Sequence, residues 1–384
     1  MTANSPFLMP NYPPQPVTFV RGEGSRLWDV DGKVYLDFLG GLAVTSLGHA
    51  HPVVAEAVAQ QAQTLLHVCN LFGTTVGPEV AQTLDRLIGG GGQIFFANSG
   101  AEANECAIKL ARKWGGPGKY AVVSTYGSFH GRTLGALAAT GQPAKHEPFQ
   151  PLPEGFRHVA LGDIDAMDAA VDPTVVAAVL LEPIQGEGGV NVPPKGWLGE
   201  VRRLCDERDV LLILDEVQTG LGRTGDWFGF QHEGIRPDMV TLAKALGNGM
   251  PIGACWARRE VASSFVPGDH GTTFGGQPLA AAAARATLAV MEAEDVPARA
   301  GRAGARLAEG LAALPGVSSV RGRGLLLAAE LSDRPAKDVY VAALERGLVV
   351  NAVTPTAVRL APSLLVTDDE IDEALAVLEA VLSC

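Results

Sequence analysis

The chain has 384 residues, of which 47% are hydrophobic and 19% are charged, and its formal net charge is -12. This length is typical of one large domain with a smaller companion, and the composition is that of a globular protein rather than a disordered or fibrous one. The negative charge disfavours binding to nucleic acid and to anionic lipid, so we expect small-molecule partners.

The sequence shows no sign of a membrane segment or a metal site. Residues 1–16 have neither a basic start nor an apolar stretch, and the longest aliphatic run, Val175–Leu181, is far too short to cross a membrane. Cysteines stand at positions 69, 106, 205, 255 and 384, without the close pairs typical of zinc sites or disulfide frameworks. We therefore expect a cytoplasmic protein without a bound metal, in which the cysteines fill apolar space.

The first predicted element is a hairpin, because the sequence WDVDGKVYLD around Asp29–Asp37 has a central Asp-Gly turn. From about residue 94 to 256, β-prone runs alternate with helical stretches, which is the pattern of an α/β fold with a parallel sheet wrapped by helices. The predicted strands are Gln93–Ala97, Tyr120–Ser124, Val175–Leu181, Val210–Leu214, Met239–Leu242 and Ile252–Trp256, and the predicted helices between them are Glu102–Trp114 and Gly199–Arg208.

Beyond Pro278 the pattern changes to two alanine-rich helices, followed by strands near Leu325–Leu331 and Val358–Leu360 and a closing helix from Asp368. This pattern predicts a smaller α+β domain after a boundary near residues 285–295. The expected organisation is an N-terminal segment that packs with the small domain (1–45), a large domain (46–288) and a C-terminal small domain (289–384).

Residues suited to ligand binding follow the predicted strands, and ligands sit at the carboxyl ends of strands in open parallel sheets. Asn98–Asn104 opens a helix with small residues whose free amides suit a phosphate, although an ordinary cap by Ser99 explains the same pattern. Phe129 is suited to stack on a planar ring and Arg132 to bind a carboxylate; a core phenylalanine and a surface arginine are the open alternative. His130 is expected to be a structural hydrogen bonder.

Two ionisable residues stand at the ends of apolar strands. Asp215 follows Leu211–Leu214, where a buried carboxylate needs a partner: a protonated pyridine nitrogen, a salt bridge or, with less support, a metal. Lys244 lies among small and apolar residues, where burial would lower the pKa of its amine and free the lone pair for Schiff-base formation. An exposed helix lysine is the alternative, but it does not explain the surrounding glycines.

Seven motifs occur in order along the chain: NSGAEANE, SFHGRT, LEPIQGEGG, LDEVQTGLGRTG, LAKALGNGMPIGA, HGTTFGGQPLA and VRLAP. With these motifs the chain resembles the class III (fold type I) aminotransferases, which depend on pyridoxal 5'-phosphate. The resemblance covers nearly the whole chain, including RGEGSRLWDVDGKVYLDFLGGLAVTSLGHAHP near the start. It implies a large domain with a mostly parallel sheet wrapped by helices and a smaller α+β domain.

The resemblance also implies roles for individual residues. Lys244 would carry the cofactor as a Schiff base and serve as acid and base, and Asp215 would pair with the pyridinium nitrogen as the second catalytic residue. The other cofactor contacts would come from Ser99, Gly100, Ala101, Phe129, Gln218 and Thr273. Substrates would be bound by Arg132, Glu187, Thr272 and Arg359.

The motifs are most similar to those of family members that transfer the δ-amino group of N2-acetyl-L-ornithine to 2-oxoglutarate, forming glutamate in arginine biosynthesis. Arg132 would hold the carboxylate of acetylornithine and Arg359 that of glutamate, with Glu187 covering Arg359 when glutamate is absent. Because Thr272 and Thr273 would reach the site of a second subunit, the resemblance implies a homodimer.

Three alternatives remain open. A related aminotransferase would use ornithine, succinylornithine, an acylated lysine or 4-aminobutyrate, and an aminomutase would move the amine within one molecule. A nucleotide-binding or structural α/β protein is suggested only by glycine-rich loops such as Gly89–Gly92. The sequence departs from the usual family pattern at Ala101, where many relatives have threonine, at Gln277, where many have asparagine, and in LFGTTVGPE after Asn70.

Overall fold

The computed structural model describes residues 7–383, so Cys384 lies outside the described residues. Its strands are β1 (Phe19–Glu23), β2 (Arg26–Asp29), β3 (Val34–Asp37), β4 (Gly92–Ala97), β5 (Ala121–Thr125), β6 (Phe156–Val159), β7 (Val176–Leu181), β8 (Leu211–Asp215), β9 (Met239–Leu242), β10 (Gly253–Arg258), β11 (Val317–Arg323), β12 (Leu326–Leu331), β13 (Leu348–Val349), β14 (Asn351–Ala352) and β15 (Ala357–Leu360).

The helices are α1 (Gly40–Ala43), α2 (Pro52–Thr64), α3 (Val76–Ile88), α4 (Gly100–Gly115), α5 (Leu134–Ala139), α6 (Pro143–His146), α7 (Ile164–Ala170), α8 (Trp197–Glu207), α9 (Arg259–Ala262), α10 (Pro278–Ala293), α11 (Val296–Ala312), α12 (Ala336–Glu345) and α13 (Asp368–Leu382). Short 3-10 helices span Glu147–Phe149, Gly229–Glu233 and Lys244–Gly247.

A seven-stranded sheet forms the centre of the molecule, in the order β4-β10-β9-β8-β7-β5-β6. Strand β10 is antiparallel to both of its neighbours, and the other adjacent pairs are parallel. Every residue of β7, β8 and β9 is buried, which explains why these strands are almost entirely apolar in the sequence. The predicted mostly parallel sheet wrapped by helices is confirmed.

The reversed direction of β10 brings its first residue to the edge where the parallel strands end. Gly253 pairs with Ala97 at the end of β4, and Ala254 pairs with Leu242 at the end of β9. A Cβ atom at Gly253 would lie 2.4 Å from the Ser99 carbonyl oxygen, so only glycine allows this close approach. The carboxyl ends of β4, β5, β7, β8 and β9 therefore meet the start of β10 at one edge.

Two smaller sheets lie beside the central one, in the orders β1-β2-β3-β13 and β11-β12-β15-β14. The predicted hairpin is present as the antiparallel pair β2–β3. Strand β3 also pairs with β13, since Leu36 lies opposite Leu348, and this pairing joins the N-terminal segment to the C-terminal part of the chain. Because α10 continues through residue 288, we propose that the large domain ends after Ala293 rather than inside this helix.

Arg223 connects three parts of the chain from a buried position. Its guanidinium donates to the carbonyl oxygens of Leu325 (3.1 Å) and Pro362 (2.6 Å) and to Ser46 Oγ (3.1 Å). The side chain is fully buried, and this burial lowers the pKa of Arg223 to about 9. The residue therefore connects Ser46 and the C-terminal segments at Leu325 and Pro362 to the loop after β8.

Among residues 7–383, no helix is both long and apolar enough to cross a membrane. The same residues contain no group of three or more His, Cys, Asp or Glu side chains placed to hold a metal ion. Cys106, Cys205 and Cys255 are buried, as expected for apolar fillers, whereas Cys69 is partly exposed.

Candidate active site

A cavity of about 400 Å³ opens where the parallel strands of the central sheet end. Its lining includes the predicted site residues Ser99, Gly100, Ala101, Phe129, Arg132, Glu187, Asp215, Gln218 and Lys244. These residues come from the segments that follow five different strands. They are far apart in the sequence, and the order of the strands in the sheet brings them together in one cavity.

Lys244 begins the short 3-10 helix that follows β9, and its φ angle of 42° lies in the left-handed region. This conformation is uncommon for a residue other than glycine and is found at functional sites. Burial lowers the pKa of Lys244, and its ammonium group has neither a hydrogen bond nor an ion pair within the described chain. Lys244 is therefore a partly desolvated amine that is free to react, and the alternative of an exposed helix lysine is excluded.

Asp215 ends β8 and is held by residues from two other segments. Its Oδ2 accepts a hydrogen bond from Asn104 Nδ2 at 2.7 Å and lies 2.8 Å from His130 Nδ1. Because an ionised carboxylate only accepts hydrogen bonds, His130 Nδ1 carries the proton of this contact. The other oxygen, Oδ1, accepts from the backbone amide of Val217 at 3.1 Å. Asp215 is thus oriented by two side chains and can hold a further proton donor at the cavity.

His130 has the structural role expected for it. The ring is buried, and its Nε2 lies 3.1 Å from Ser124 Oγ while Nδ1 contacts Asp215. Asn104 extends the same network, since its Oδ1 accepts from Thr241 Oγ1 at 2.7 Å. Neither ring nitrogen of His130 is left for acid–base work, so we assign the ring to orienting Asp215.

The start of α4 forms another wall of the cavity. Ser99 is the N-cap residue, and its hydroxyl accepts from the amide of Glu102 at 3.2 Å, as in an ordinary helix cap. The first amides of the helix, at Gly100 and Ala101, have no carbonyl partner within the helix. A Cβ atom at Gly100 would lie 2.8 Å from the side chain of Val217, so this position requires glycine. The amides can bind an anion while the Ser99 hydroxyl remains a cap.

Phe129 and Arg132 lie on the segment that follows β5. The amide of Phe129 donates to Glu182 Oε2 at 2.9 Å, which fixes the backbone beneath the ring. The Arg132 guanidinium lies 5.6 Å from the centre of the Phe129 ring, and the residue is exposed at the cavity. Within the described chain Arg132 forms no ion pair, so its positive charge is available to a carboxylate.

A second arginine is paired and buried. Arg359 is 1% exposed, and its Nη1 lies 2.5 Å from Oε1 of Glu187, which is 29% exposed. Burial opposes the ionisation of Glu187, but the charge and hydrogen bond of Arg359 outweigh it and lower the pKa of Glu187. The pair brings together two predicted substrate residues that are 172 positions apart in the sequence.

Gln218 carries a buried donor without a protein partner. Its Oε1 lies 3.4 Å from Arg359 Nη1, whereas its Nε2 is buried and has no acceptor with good hydrogen-bond geometry within residues 7–383. The nearest acceptor is the Glu187 carboxylate, whose pKa Gln218 helps to lower. Leaving a buried donor unpaired costs roughly 1–3 kcal/mol. Since Gln218 lines the cavity, the unpaired amide is most simply explained by an acceptor on a ligand.

Two buried carboxylates were missed by the sequence analysis. Glu182 follows β7 and accepts hydrogen bonds from the amides of Phe129 and Gly186, and Glu216 accepts from Thr219 and two backbone amides. Burial raises the pKa of each to about 7. Glu182 lines the cavity, and its position directly after the apolar strand β7 is the signal that could have identified it.

Thr272 and Thr273 lie outside this cavity in their own chain. Both line a neighbouring cavity of about 1130 Å³, and Thr272 Oγ1 accepts a hydrogen bond from Asn98 Nδ2 at 3.3 Å. Gln277, one of the departures from the family pattern, supports the adjacent segment by contacts with the amide of Val68 (2.9 Å) and with Asn70 Oδ1 (3.1 Å). Neither threonine lines the cavity around Lys244 in this chain, although Thr272 contacts Asn98, which does.

Comparison with known proteins shows what the chain is similar to. Residues 7–382 match the family model described as aminotransferase class-III. Acetylornithine aminotransferase of Corynebacterium efficiens is 51% identical over 385 residues, covering 98% of this chain and 95% of the relative. Acetylornithine aminotransferase of Methanothermobacter thermautotrophicus is 49% identical, covering 98% of this chain and 96% of the relative.

Solved structures of aminotransferases are also similar to this chain. The ornithine aminotransferase of Toxoplasma gondii ME49 superposes with a TM-score of 0.94 at 36% identity, covering 98% of this chain and 92% of the other. N-acetylornithine aminotransferase of Stenotrophomonas maltophilia has a TM-score of 0.85 at 39% identity, covering 96% of each chain. The chain therefore belongs to the class III aminotransferases, which are pyridoxal-phosphate-dependent enzymes.

Proposed function

We propose that this aminotransferase moves the δ-amino group of N2-acetyl-L-ornithine to 2-oxoglutarate, giving N-acetyl-L-glutamate 5-semialdehyde and L-glutamate. The observation that carries the proposal is the joint presence, around Lys244, of the free Arg132 and the Glu187-covered Arg359. Relatives with about half of their residues identical to this chain bear the name acetylornithine aminotransferase, which supports the same substrate.

The described residues fit pyridoxal 5'-phosphate at several points. The unpartnered Nε2 of Gln218 needs an acceptor, which a phenolic oxygen on the ring would supply. The first amides of α4, at Gly100 and Ala101, are suited to the phosphate group. The free amine of Lys244 is suited to the covalent link. Asp215 would hold the ring nitrogen, and Phe129 would pack on the ring face.

Bound pyridoxal phosphate supplies an electron sink that stabilises negative charge on the carbon that loses a proton. The proton itself is moved by Lys244, whose lowered pKa allows the amine to act as a base and its ammonium to act as an acid. Asp215 presents its carboxylate at the end of β8, where Asn104 and His130 hold it in place. A carboxylate in this position would pair with a protonated ring nitrogen.

The two arginines account for two substrates of different charge. Acetylornithine carries one carboxylate, which Arg132 would bind, while Glu187 keeps Arg359 neutralised. Glutamate carries two carboxylates, and one of them would displace Glu187 from Arg359. Breaking a buried ion pair costs about 3–5 kcal/mol unless another charge replaces the partner, so the exchange of one carboxylate for another is the favourable route.

A homodimer would complete the site, with Thr272 and Thr273 of each subunit reaching the cofactor phosphate and substrate of the other. The surface around the neighbouring cavity supports this proposal, because Phe72 is 70% exposed and Phe274 is 64% exposed. Leu71, 87% exposed, adjoins Phe72 in the lining of the same cavity, and contiguous exposed apolar residues of this kind mark interaction surfaces. The proposed location of the enzyme is the cytoplasm.

The substrate is tested by comparing kcat/KM for acetylornithine, ornithine, succinylornithine, an acylated lysine and 4-aminobutyrate, with 2-oxoglutarate as the acceptor. We expect acetylornithine to give the highest value. A clear preference for 4-aminobutyrate would overturn the substrate proposal. Full-rate turnover without any keto acid would instead indicate an aminomutase.

A further inference from the structure

Arg359 has a second anchor besides Glu187. Its Nη2 donates to Oδ1 of Asn351 at 2.9 Å, and the two residues are directly opposite each other in the antiparallel pair β14–β15. Residues opposite each other across an antiparallel pair project to the same face of a sheet, so the strand register itself places the amide beside the guanidinium. The contact is made by the part of the chain that carries Arg359 and needs no movable loop.

The backbone around Glu187 is held as firmly. The amide of Gly186 donates to Glu182 at 3.2 Å, and the carbonyl oxygen of Gly189 accepts from Arg321 Nε at 2.7 Å. A Cβ atom at Gly188 would lie 2.3 Å from the carbonyl oxygen of Gly127, so the loop is packed closely against its neighbour. Glu187 can therefore leave Arg359 by rotating its side chain, without a change in the loop.

The departure of Glu187 leaves Arg359 buried with few acceptors. The remaining contacts within the described chain are Asn351 Oδ1 at 2.9 Å and the longer one to Gln218 Oε1 at 3.4 Å. Asn351 is neutral, so it can hold the guanidinium without cancelling the charge that an incoming carboxylate needs. An aspartate at the same position would hold the guanidinium equally well but would cancel that charge.

We propose that Asn351 is a positioning residue that keeps Arg359 in its carboxylate-binding orientation while Glu187 swings away. This inference rests on the proposed function, since it assumes that Arg359 receives a carboxylate of glutamate or 2-oxoglutarate. In this proposal Asn351 on β14 stays in place beside Arg359, and only the Glu187 side chain moves when a carboxylate binds.

The test compares Asn351→Ala and Asn351→Asp in the dimeric holoenzyme, with Lys337→Ala, an exposed change on α12, as the control. A hydrogen bond to a charged group is worth roughly tenfold or more in affinity. We expect Asn351→Ala to raise the KM for glutamate about tenfold, and the dissociation constant of glutarate measured by calorimetry about tenfold. The acetylornithine half-reaction should keep its rate.

Asn351→Asp separates positioning from a merely structural role. A merely structural role predicts instead that Asn351→Ala slows both half-reactions together and lowers the unfolding midpoint, and that Asn351→Asp, which has the same shape, restores the midpoint. Positioning of an available charge predicts that glutarate binding is weaker in Asn351→Asp than in Asn351→Ala. Wild-type glutarate affinity in either variant would overturn the inference. The affinity is measured by calorimetry, so the test does not depend on catalytic activity.

Arg359→Lys, measured in parallel, distinguishes failure of this inference from failure of the proposed function. If Arg359→Lys slows the glutamate half-reaction selectively while both Asn351 variants behave as wild type, only the role of Asn351 is wrong. If Arg359→Lys slows both half-reactions equally, Arg359 does not bind glutamate selectively. The proposed substrate roles of the two arginines would then be wrong, and the role of Asn351 with them.

Discussion

Replacing Glu187 with glutamine removes the negative charge that covers Arg359 but keeps an oxygen able to accept from its guanidinium. The wild-type contact is a charge-assisted hydrogen bond of 2.5 Å to an arginine that is 1% exposed. Such bonds are worth about 1.5–3 kcal/mol, against roughly 0.5–1.5 kcal/mol for neutral ones. Displacing glutamine should therefore cost about 1.5 kcal/mol less than displacing glutamate, which corresponds to roughly tenfold in rate or affinity.

The two half-reactions should respond differently. With glutamate as the substrate, kcat/KM of the Glu187→Gln enzyme should rise by up to about tenfold. The reason is that the substrate carboxylate no longer competes with the Glu187 carboxylate for Arg359. With acetylornithine, the rate should stay the same or fall, because Arg359 is then left without a countercharge. Rapid mixing with each substrate alone, followed by the absorbance of the bound cofactor, measures both rates in a single turnover.

A matched control is available at an exposed ion pair. Arg26 and Glu373 form a similar contact at 2.5 Å but are partly exposed and lie outside the cavity, so Glu373→Gln should leave both half-reactions unchanged. Equal changes of the two half-reactions in Glu187→Gln, or a slower glutamate half-reaction, would refute the idea that Glu187 covers Arg359.

Three further predictions concern catalysis and stability. Lys244→Ala should reduce single-turnover rates about a hundredfold or more without lowering the unfolding midpoint of the cofactor-free protein, and near wild-type rates would contradict its role. The pKa values of Glu182 and Glu216 are raised to about 7 in the folded state, so ionisation of these two groups destabilises the fold. Urea titrations should therefore show the free energy of unfolding falling as pH rises from about 4.5 to 7, by up to roughly 3 kcal/mol per group. A pH dependence in Glu216→Gln no smaller than in the wild type would contradict this prediction. Arg223→Lys should lower the free energy of unfolding by about 2–4 kcal/mol, because a lysine cannot reach the same three oxygens. The control Arg302→Lys, at an exposed position, should leave the free energy of unfolding unchanged. Equal stabilities of the two variants would exclude the connecting role of Arg223.

The ends of the apolar strands were the most informative part of the sequence. Asp215 and Lys244 follow runs of apolar residues, and an ionisable group is costly there without a function or a partner. The strand bounds were predicted within one or two residues for the same reason, since β7, β8 and β9 are buried along their whole length. The edge strand β6, with Arg157 and His158 between two apolar residues, carried no such signal and was missed.

Long-range relationships could not be predicted from local patterns. Alternation of helices and strands does not give the direction of β10, which is antiparallel to both neighbours. Asp215 was expected to need a cationic or metal partner, but Asn104 and His130, 111 and 85 positions away, already supply two hydrogen bonds. Asn351 lies in a strand of two residues, too short to show periodicity, and its role depends on the register with β15.

The resemblance to class III aminotransferases contributed what residue chemistry alone left open. A core phenylalanine and a surface arginine were as reasonable for Phe129 and Arg132 as a ligand role, and the structure places both at the cavity. For Ser99 the chemistry gave the better account of the side chain, because its hydroxyl caps α4. The hydroxyl accepts in this cap, so its O–H group can still donate a hydrogen bond to a phosphate oxygen of the cofactor.

The most direct test of the account is the visible absorbance spectrum of the purified enzyme with pyridoxal phosphate, recorded before and after adding N2-acetylornithine without a keto acid. A visible band from the Lys244-linked cofactor should be present, should disappear with acetylornithine, and should return with 2-oxoglutarate. A band that acetylornithine leaves unchanged would contradict the proposed substrate, and the same band in Lys244→Ala would contradict the assignment of the reactive lysine.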